Sequence, residues 1–408
     1  MTVDASGRRR EDVRQFLWFC VGYGAALLLG YLLLRKVNLL LSVEEMGRYS
    51  YAMSLVGLTA AVFYQAAPQA YVRFNDNHAV SPLLRRRLVP VFAASSFAVA
   101  IAVWTVTREW YAMLYAAIPF FFERMSVLRS QMRIGAVNML KVSELAVPFL
   151  ALSALSLLPS SAAFAPSAAL VLAVYGLGYA TCFLFPMRLR ECDCPSAGKL
   201  SAFLVPVTCT MAVATAIDNL TVVATKSLAG YEAAAQIGVA VRNLMFARAL
   251  FSLFQMFYPV VYFREMKRCN YGTVRIYRVF IVAVAAAFVL CTVVFSPLLY
   301  EITGAGAYIA SRRAFAMLSV AALLDFVFDV FALYFQHEIK TWKATLTKSA
   351  FLVAMVAGIV CVRKSATVDM MALLVLLSSA ASSIPGTLWA AIAERKLRHE
   401  RSCRTAQA

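Results

Sequence analysis

The sequence has little charge, few histidines and only one close pair of cysteines. Charged residues make up 15% of the chain, there are three His, and among nine Cys only Cys192 and Cys194 lie close together. A structural metal site built on such a pair needs a second pair, so we expect neither a metal site nor a disulfide framework. The Gly-rich phosphate loop of ATP-driven motors is also absent. Any transport by this chain would therefore draw on a gradient, and no cofactor is expected.

Hydrophobic residues dominate, at 62% of the chain. Such a composition predicts a polytopic membrane protein, because the apolar runs are about 20 residues long and match a hydrocarbon core of roughly 30 Å. In lipid only helices or closed barrels satisfy the backbone, and continuous apolar runs favour helices, so we predict an all-α fold. The twelve predicted spans are 13–34, 47–67, 88–107, 110–128, 141–158, 168–187, 200–224, 233–258, 277–299, 314–335, 346–362 and 370–393.

The 39 basic residues are concentrated in alternate loops, beginning with the N-terminal segment that holds Arg8, Arg9 and Arg10. Short loops rich in Lys and Arg stay in the cytoplasm, so both termini are predicted to be cytoplasmic. This distribution and attraction to anionic lipid headgroups explain the net charge of +18 better than nucleic-acid binding does. The loops on the other side are short, which leaves little room for a catalytic domain and argues against an enzyme.

Polar residues inside the seventh and eighth spans are the first candidates for a binding site. A charge at mid-helix costs about 2.5–3.5 kcal/mol, so it must face protein or water. The seventh span carries Asp218, and the eighth carries Gln236 and Asn243 at a spacing of seven, with Arg242 beside them and Arg248 further round. Asp218 either pairs with one of the two arginines to hold helices together or lines a transport cavity.

The tenth span carries two acids, Asp325 and Asp329, spaced four residues apart and therefore on one helical face. Either the backbone or Lys340 satisfies them, or they bind a proton or cation that couples to transport.

Three further charged residues lie near predicted span ends. Glu123 and Arg124 are expected to form a boundary pair, and Glu144 is expected to be solvated rather than functional.

One sequence pattern occurs twice. Pro-x-x-Tyr-x-Arg ends an apolar stretch at Pro68–Arg73 and again at Pro259–Arg264, each time before a basic loop. The repetition predicts a duplicated chain, a common plan for transporters, and we divide it into halves over 1–190 and 191–408. Arg73 and Arg264 are either ordinary cytoplasmic anchors or contacts for lipid headgroups.

These segments resemble a known family. Leu41–Arg73, with its acidic pair, Gly-Arg-Tyr-Ser-Tyr-Ala and terminal Arg, resembles the first repeat of bacterial polysaccharide flippases of the O-antigen type, in the multidrug/oligosaccharidyl-lipid/polysaccharide superfamily. Residues 216–220, 230–234 and Pro259–Arg264 resemble that family's seventh and eighth helices. The family's usual Gly-x-Tyr appears as Gly230-Tyr231 without an intervening residue, so no role is assigned to that turn.

The resemblance implies two six-helix lobes around a central cavity that opens alternately to each side of the bacterial inner membrane. The cargo would be an oligosaccharide on a polyprenyl pyrophosphate, destined for O-antigen, capsule or exopolysaccharide. Arg242 and Arg248 would meet the pyrophosphate, while Asp218, Asn243 and Gln236 would bind sugar hydroxyls. Membrane lipids and other polysaccharide-assembly proteins are the implied partners.

Two alternatives stay open from the sequence. A proton- or cation-coupled multidrug antiporter of the same superfamily would use Asp325, Asp329 and Asp218, whereas Arg242 and Arg248 argue against a cationic cargo. A membrane glycan polymerase would normally need a sizeable outward loop, which this chain lacks.

Overall fold

The computed structural model describes residues 5–74, 80–131, 133–157, 166–189, 195–244, 270–337, 342–363 and 365–407. Between 244 and 270 it also describes residues 248, 250, 251, 254, 258, 259, 262, 263, 265 and 266. The chain divides into two compact units, Met1–Asn219 and Leu220–Ala408. In both units the described backbone is almost entirely helical.

The helices of the first unit follow the apolar runs in chain order. They are α1 (Ala5–Leu40), α2 (Val43–Val56), a π-helical turn (Gly57–Ala61), α3 (Val62–Arg73), α4 (Pro82–Thr107), a 3-10 segment (Trp110–Ala117), α5 (Ile118–Ser130), α6 (Ile134–Leu157), α7 (Ala168–Ala180) and a second 3-10 segment (Thr181–Leu184). A long helical segment, α8 (Ala197–Asn243), begins in the first unit and continues into the second.

Local sequence explains where several of these helices begin and end. The Ser42 hydroxyl accepts a hydrogen bond from the Glu45 backbone amide at 3.3 Å, and Ser167 caps α7 in the same way through Leu170 at 3.2 Å. Both are serine N-caps, which satisfy amides that lack a helical partner. Helix α4 ends at Arg108, whose φ of 59° lies in the left-handed region. These residues fix where α2 and α7 begin and where α4 ends.

Small residues allow close helix packing in the first unit. The 3-10 segment Trp110–Ala117 lies against α7 at Gly176, where a Cβ atom would overlap the backbone of Leu114. Helix α1 packs along α6, where Asn138 occupies the space over Gly22 and its amide donates to the Trp18 carbonyl at 2.7 Å.

The second unit continues from α8 through α9 (Tyr271–Val294), α10 (Ser296–Ile302), a 3-10 segment (Gly306–Ser311), α11 (Arg312–His337), α12 (Trp342–Val362) and α13 (Val368–Gln407). Helix α11 packs along α13 and against α9. Gly386 of α13 allows the ring of Phe328 and the methyl group of Thr347 to approach its backbone.

Gly230 interrupts α8 between the predicted seventh and eighth spans. Its φ of 86° and ψ of −175° are not helical. That backbone region is accessible essentially to glycine alone. Gly230 therefore marks a break between two helical segments of α8.

The predicted all-α membrane fold is confirmed. The predicted spans lie on helical segments, but some are interrupted, as where 277–299 is divided between α9 and α10. Most of the second half of 233–258 lies outside the described residues. Within the described part, seven helices are long and apolar enough to cross a membrane. The division into lobes 1–190 and 191–408 stays a prediction.

Candidate functional site

The polar residues of the eighth span lie on the part of α8 that follows Gly230, in the second unit. Gln236 and Arg242 are half-buried, whereas Asn243 is only 1% exposed. The three side chains therefore differ in access although they share one helix. Gln236 and Arg242 remain partly accessible, and Asn243 lies in the interior of the unit.

Aromatic residues from the α10 region surround this part of α8. The Tyr300 hydroxyl lies next to the Asn243 amide and within 2.9 Å of the Ser311 hydroxyl. The Arg242 guanidinium is an electrostatic neighbour of the Tyr308 phenol. Arg242 thus lies near a polar aromatic group that can share in hydrogen bonding to an anion or a sugar.

Two other predicted residues are described less completely. Arg248 lies beyond the end of α8 and has helical backbone, since its amide donates to the Leu244 carbonyl at 3.0 Å. Its side chain is half-buried. Asp218 lies on α8 at the end of the first unit, and its side chain is outside the described part of the structure. The proposed pairing of Asp218 with an arginine stays a prediction.

Asp325 of α11 is held by two serine hydroxyls of α13. Ser383 Oγ donates to one carboxylate oxygen at 2.7 Å and Ser379 Oγ to the other at 3.3 Å. Hydrogen bonds to a charged group contribute about 1.5–3 kcal/mol each, which offsets part of the cost of burying the carboxylate. The sequence did not predict that these serines bind Asp325, although Ser-Ser-Ala-Ala-Ser-Ser at 378–383 is an unusual run inside an apolar span.

Asp329 makes a different contact, one helix away. Its Oδ1 lies 2.8 Å from Nζ of Lys348 on α12, with the two side chains 30% and 27% exposed. The two acids stand four residues apart on α11, as expected, but one is bound by α13 and the other by α12. Both acids thus bind side chains of neighbouring helices, and Lys340 lies outside the described residues.

A buried cluster around Glu123 corrects one expectation in the first unit. The Glu123 side chain is 2% exposed and accepts hydrogen bonds from Arg85 Nε at 3.2 Å and from the Tyr71 hydroxyl at 3.1 Å. Glu123 is therefore not at an exposed boundary as expected, and Arg124 is only its electrostatic neighbour, because side chains adjacent on a helix point in different directions. Helix packing brings in Arg85 of α4 instead.

Glu144 is also buried rather than solvated. It is 7% exposed and accepts a hydrogen bond from Lys141 Nζ at 2.9 Å. The expectation of solvation is wrong because α7 covers this face of α6, where Gly178 allows the Glu144 carbonyl to approach closely.

The second unit contains its own buried Arg–Glu–Tyr cluster. Arg278 of α9 donates to Glu394 of α13 at 2.8 Å and to the Tyr258 hydroxyl at 3.3 Å. The guanidinium also lies over the Phe331 ring, 4.3 Å from its centroid. Each unit therefore holds an Arg–Glu pair with a buried glutamate and a buried tyrosine at the end that carries the predicted cytoplasmic loops. Arg278 is also buried, whereas the Arg85 side chain is 36% exposed.

The duplicated pattern has a partial structural counterpart. Its tyrosines, Tyr71 and Tyr262, are both fully buried, and Tyr262 lies near Arg278, with the guanidinium 5.8 Å from its ring centroid. The side chain of Arg73 and the whole of Arg264 are outside the described part of the structure. Their role as headgroup contacts stays a prediction.

The fold defined by these helices is similar to that of solved MATE-family multidrug transporters and of a lipid II flippase. An inward-facing MATE-family multidrug transporter is similar over 91% of this chain and 95% of its own, with a TM-score of 0.62 and 14% identity. The lipid II flippase MurJ, in an inward closed conformation, is similar over 93% of this chain and 87% of its own, with a TM-score of 0.63 and 10% identity.

A third similar structure is a MOP-superfamily transporter from Pyrococcus furiosus, described as having a binding pocket of reversed polarity that suggests a different function. It is similar over 93% of this chain and 97% of its own, with a TM-score of 0.52 and 15% identity. No family model and no curated protein matches the sequence. The chain therefore has a MATE-like fold, and an inference about its cargo depends on its own residues.

Proposed function

We propose that this protein is a flippase that moves a polyprenyl-pyrophosphate-linked oligosaccharide from the cytoplasmic to the outer leaflet of the bacterial inner membrane, for surface polysaccharide biosynthesis. The observation that carries the proposal is Arg242, a half-buried cation within a membrane span of a MATE-like fold. A lipid II flippase with this fold adds support for a lipid-linked cargo.

Arg242 and Arg248 are the residues that meet the pyrophosphate. A guanidinium forms paired, charge-assisted hydrogen bonds with phosphate oxygens. A cation within a span is costly, and the negative charge of a pyrophosphate would offset part of that cost. Two further residues hydrogen-bond sugar hydroxyls, Gln236 on the same helical segment as Arg242 and Asp218 before Gly230. Asn243 is the weakest member of the predicted set, because it is buried against Tyr300 and would act by positioning the α8 backbone.

Flipping by alternating access leaves the lipid tail in the bilayer. Only the polar head has to be shielded from hydrocarbon, which lowers the cost of moving sugar and phosphate across the membrane. Arg73 and Arg264 contact headgroups on the cytoplasmic side, where both termini lie. Asp325 and Asp329 couple the cycle to a proton or cation, and other polysaccharide-assembly proteins supply and consume the cargo.

The direct test is transfer of a fluorescent lipid-linked oligosaccharide across reconstituted vesicles. Arg242→Ala removes a charge-assisted contact worth roughly 10- to 100-fold in affinity. We expect its transfer rate at limiting cargo to fall by at least about tenfold, with Arg248→Ala behaving similarly. Lys226→Ala is the matched control, since Lys226 is a cation of the same α8 segment whose ammonium lies 5.1 Å from the Tyr231 ring centroid.

Full transfer by folded Arg242→Ala and Arg248→Ala proteins would remove both arginines from the site. Absence of protein-dependent transfer in the unmodified protein, with correct folding, would reject the flippase itself.

A proton- or cation-coupled multidrug antiporter is the second candidate, favoured by the Asp325 contacts. One carboxylate and two serine hydroxyls present only oxygen atoms, the donors that hard cations prefer. Under this alternative, Asp325→Asn would abolish gradient-driven drug uptake into vesicles, whereas Arg242→Ala would spare it.

A further inference from the structure

A cavity of about 610 Å³ lies at one end of the second unit, where α9 ends and α11 and α13 begin. Its charged lining consists of Arg312 and Arg313, the first two residues of α11, and Asp369 of the first turn of α13. The proposed cargo site on α8 uses none of these residues. The cavity therefore needs a separate explanation.

The two arginines are available to an anion from outside the protein. Arg312 Nε donates to the Ser296 hydroxyl at 2.8 Å, and Ser296 is 1% exposed, so the guanidinium is oriented by a buried group. Both arginine side chains are exposed, and within the described part of the chain neither forms an ion pair. Two adjacent guanidiniums at a cavity mouth are suited to a phosphate, which each can contact through two hydrogen bonds.

Asp369 supplies an acceptor in the same cavity. Its Oδ1 atom is shielded from solvent and has no hydrogen-bond partner among the residues that the structure describes. A shielded carboxylate oxygen normally has a donor, because leaving it without one is costly. A ligand that carries a hydroxyl near its phosphate would supply the donor for Asp369. One negative charge on that ligand would balance the net positive charge of Arg312, Arg313 and Asp369.

The position of the arginines is unusual for a membrane protein. The opposite end of the unit carries Arg275, Lys343 and Arg395, and the predicted topology places that end in the cytoplasm. Short outward segments normally contain few Lys and Arg, because such residues bias the chain towards the cytoplasm. Arg312 and Arg313 therefore do not help to orient the chain. Arg363 and Lys364 form a second basic pair in a predicted outward segment, but of the described basic residues only Arg312 and Arg313 line this cavity, which favours a binding role for them.

Apolar side chains surround the cavity at the same end. Phe295, Leu298 and Ile309 are 61%, 51% and 46% exposed, and Ile309 also lines the cavity. Exposed apolar residues at a membrane boundary can contact the glycerol and the upper part of acyl chains. We propose that the cavity binds the phosphate of an anionic lipid in the outer leaflet, with Arg312 and Arg313 donating to the phosphate and a headgroup hydroxyl donating to Asp369.

Native mass spectrometry of the full chain in detergent micelles tests this proposal. Phosphatidylglycerol and phosphatidylcholine with identical acyl chains are the probes, and polyprenyl phosphate is a third. We expect phosphatidylglycerol to be retained at least about tenfold more than phosphatidylcholine, and Arg313→Gln to reduce that retention about tenfold. Arg313→Gln leaves the Arg312–Ser296 hydrogen bond in place, so its folding is expected to be unchanged. Arg363→Gln, an exposed outward arginine at the end of α12, is the control that should have no effect.

The possible results separate clearly. Equal retention of the two phospholipids, or equal losses in Arg313→Gln and Arg363→Gln, would overturn the site. Retention of polyprenyl phosphate alone, lost in Arg313→Gln, would support the phosphate site and identify the carrier lipid rather than a bulk phospholipid as its source. Because binding is measured without transport, the result is independent of whether the protein proves to be a flippase.

Discussion

The buried pair formed by Arg278 and Glu394 allows a quantitative prediction. Arg278 Nη2 and Glu394 Oε2 are 2.8 Å apart, and the side chains are 9% and 2% exposed. Glu394→Ala would leave a buried guanidinium without its counter-ion. Arg278 would retain the Tyr258 hydroxyl at 3.3 Å and the Phe331 ring at 4.3 Å.

Removing one member of a buried ion pair costs about 3–5 kcal/mol, because the remaining charge is still desolvated. The surviving contacts of Arg278 place the expected loss for Glu394→Ala towards the lower end, about 3 kcal/mol. The first unit offers a matched comparison in Arg48 and Glu44, which are also 2.8 Å apart but 40% and 64% exposed. An exposed pair at this helical spacing contributes no more than about 0.5 kcal/mol, so Glu44→Ala should have little effect.

The measurement is the free energy of unfolding in mixed micelles, from reversible SDS titration followed by circular dichroism. The double variant Arg278→Met/Glu394→Leu should recover most of the loss, since apolar residues of similar volume remove the desolvation cost of both charges. Equal losses in the free energy of unfolding for Glu394→Ala and Glu44→Ala would refute this prediction, because they would show that burial does not control the strength of these pairs.

Three further predictions use the same titration. Gly230→Ala should cost about 1–3 kcal/mol, because the φ of 86° is strained for alanine although no atom crowds the position; an unchanged stability would mean that the turn adopts another conformation. Ser383→Ala should cost about 1–3 kcal/mol and more than Ser379→Ala, because its hydrogen bond to the carboxylate is 2.7 Å rather than 3.3 Å; the reverse order would contradict this geometry. Gly176→Ala should cost at least about 1–3 kcal/mol because a methyl group would overlap the Leu114 backbone, while Gly24→Ala, with open space around it, should not destabilise the protein.

The spans and fold class were predictable because they depend on local properties of the chain. An apolar run long enough to cross the hydrocarbon has to form a helix wherever it lies, since lipid cannot satisfy its backbone. The run at 314–335 predicted α11 (Arg312–His337) within a few residues for this reason. The predicted gap between the spans 200–224 and 233–258 likewise contains Gly230, where the helix is interrupted.

Charge partners were not predictable, because they join helices that are far apart in sequence. Asp325 and Asp329 share a face of α11 by spacing, but their binding groups come from two other helices, with Ser383 58 residues away. Glu394 was not singled out as a buried residue because it stands among Arg395 and Lys396 at the end of a span. Its partner Arg278 lies 116 residues earlier.

The sequence by itself determined that this is a multi-pass helical membrane protein with charges inside its spans, since hydrophobicity, helical period and loop charge act over one span at a time. Only the tertiary structure decided which of those charges are neutralised by protein. Asp329 and Glu123 pair with a lysine and an arginine of neighbouring helices, whereas Asp325 is bound by two uncharged serine hydroxyls. Arg312 and Arg313 line a cavity instead. The physical reason is that helix packing sets the distance between charges, and that distance decides whether a buried charge has a partner within the protein or is available to a ligand.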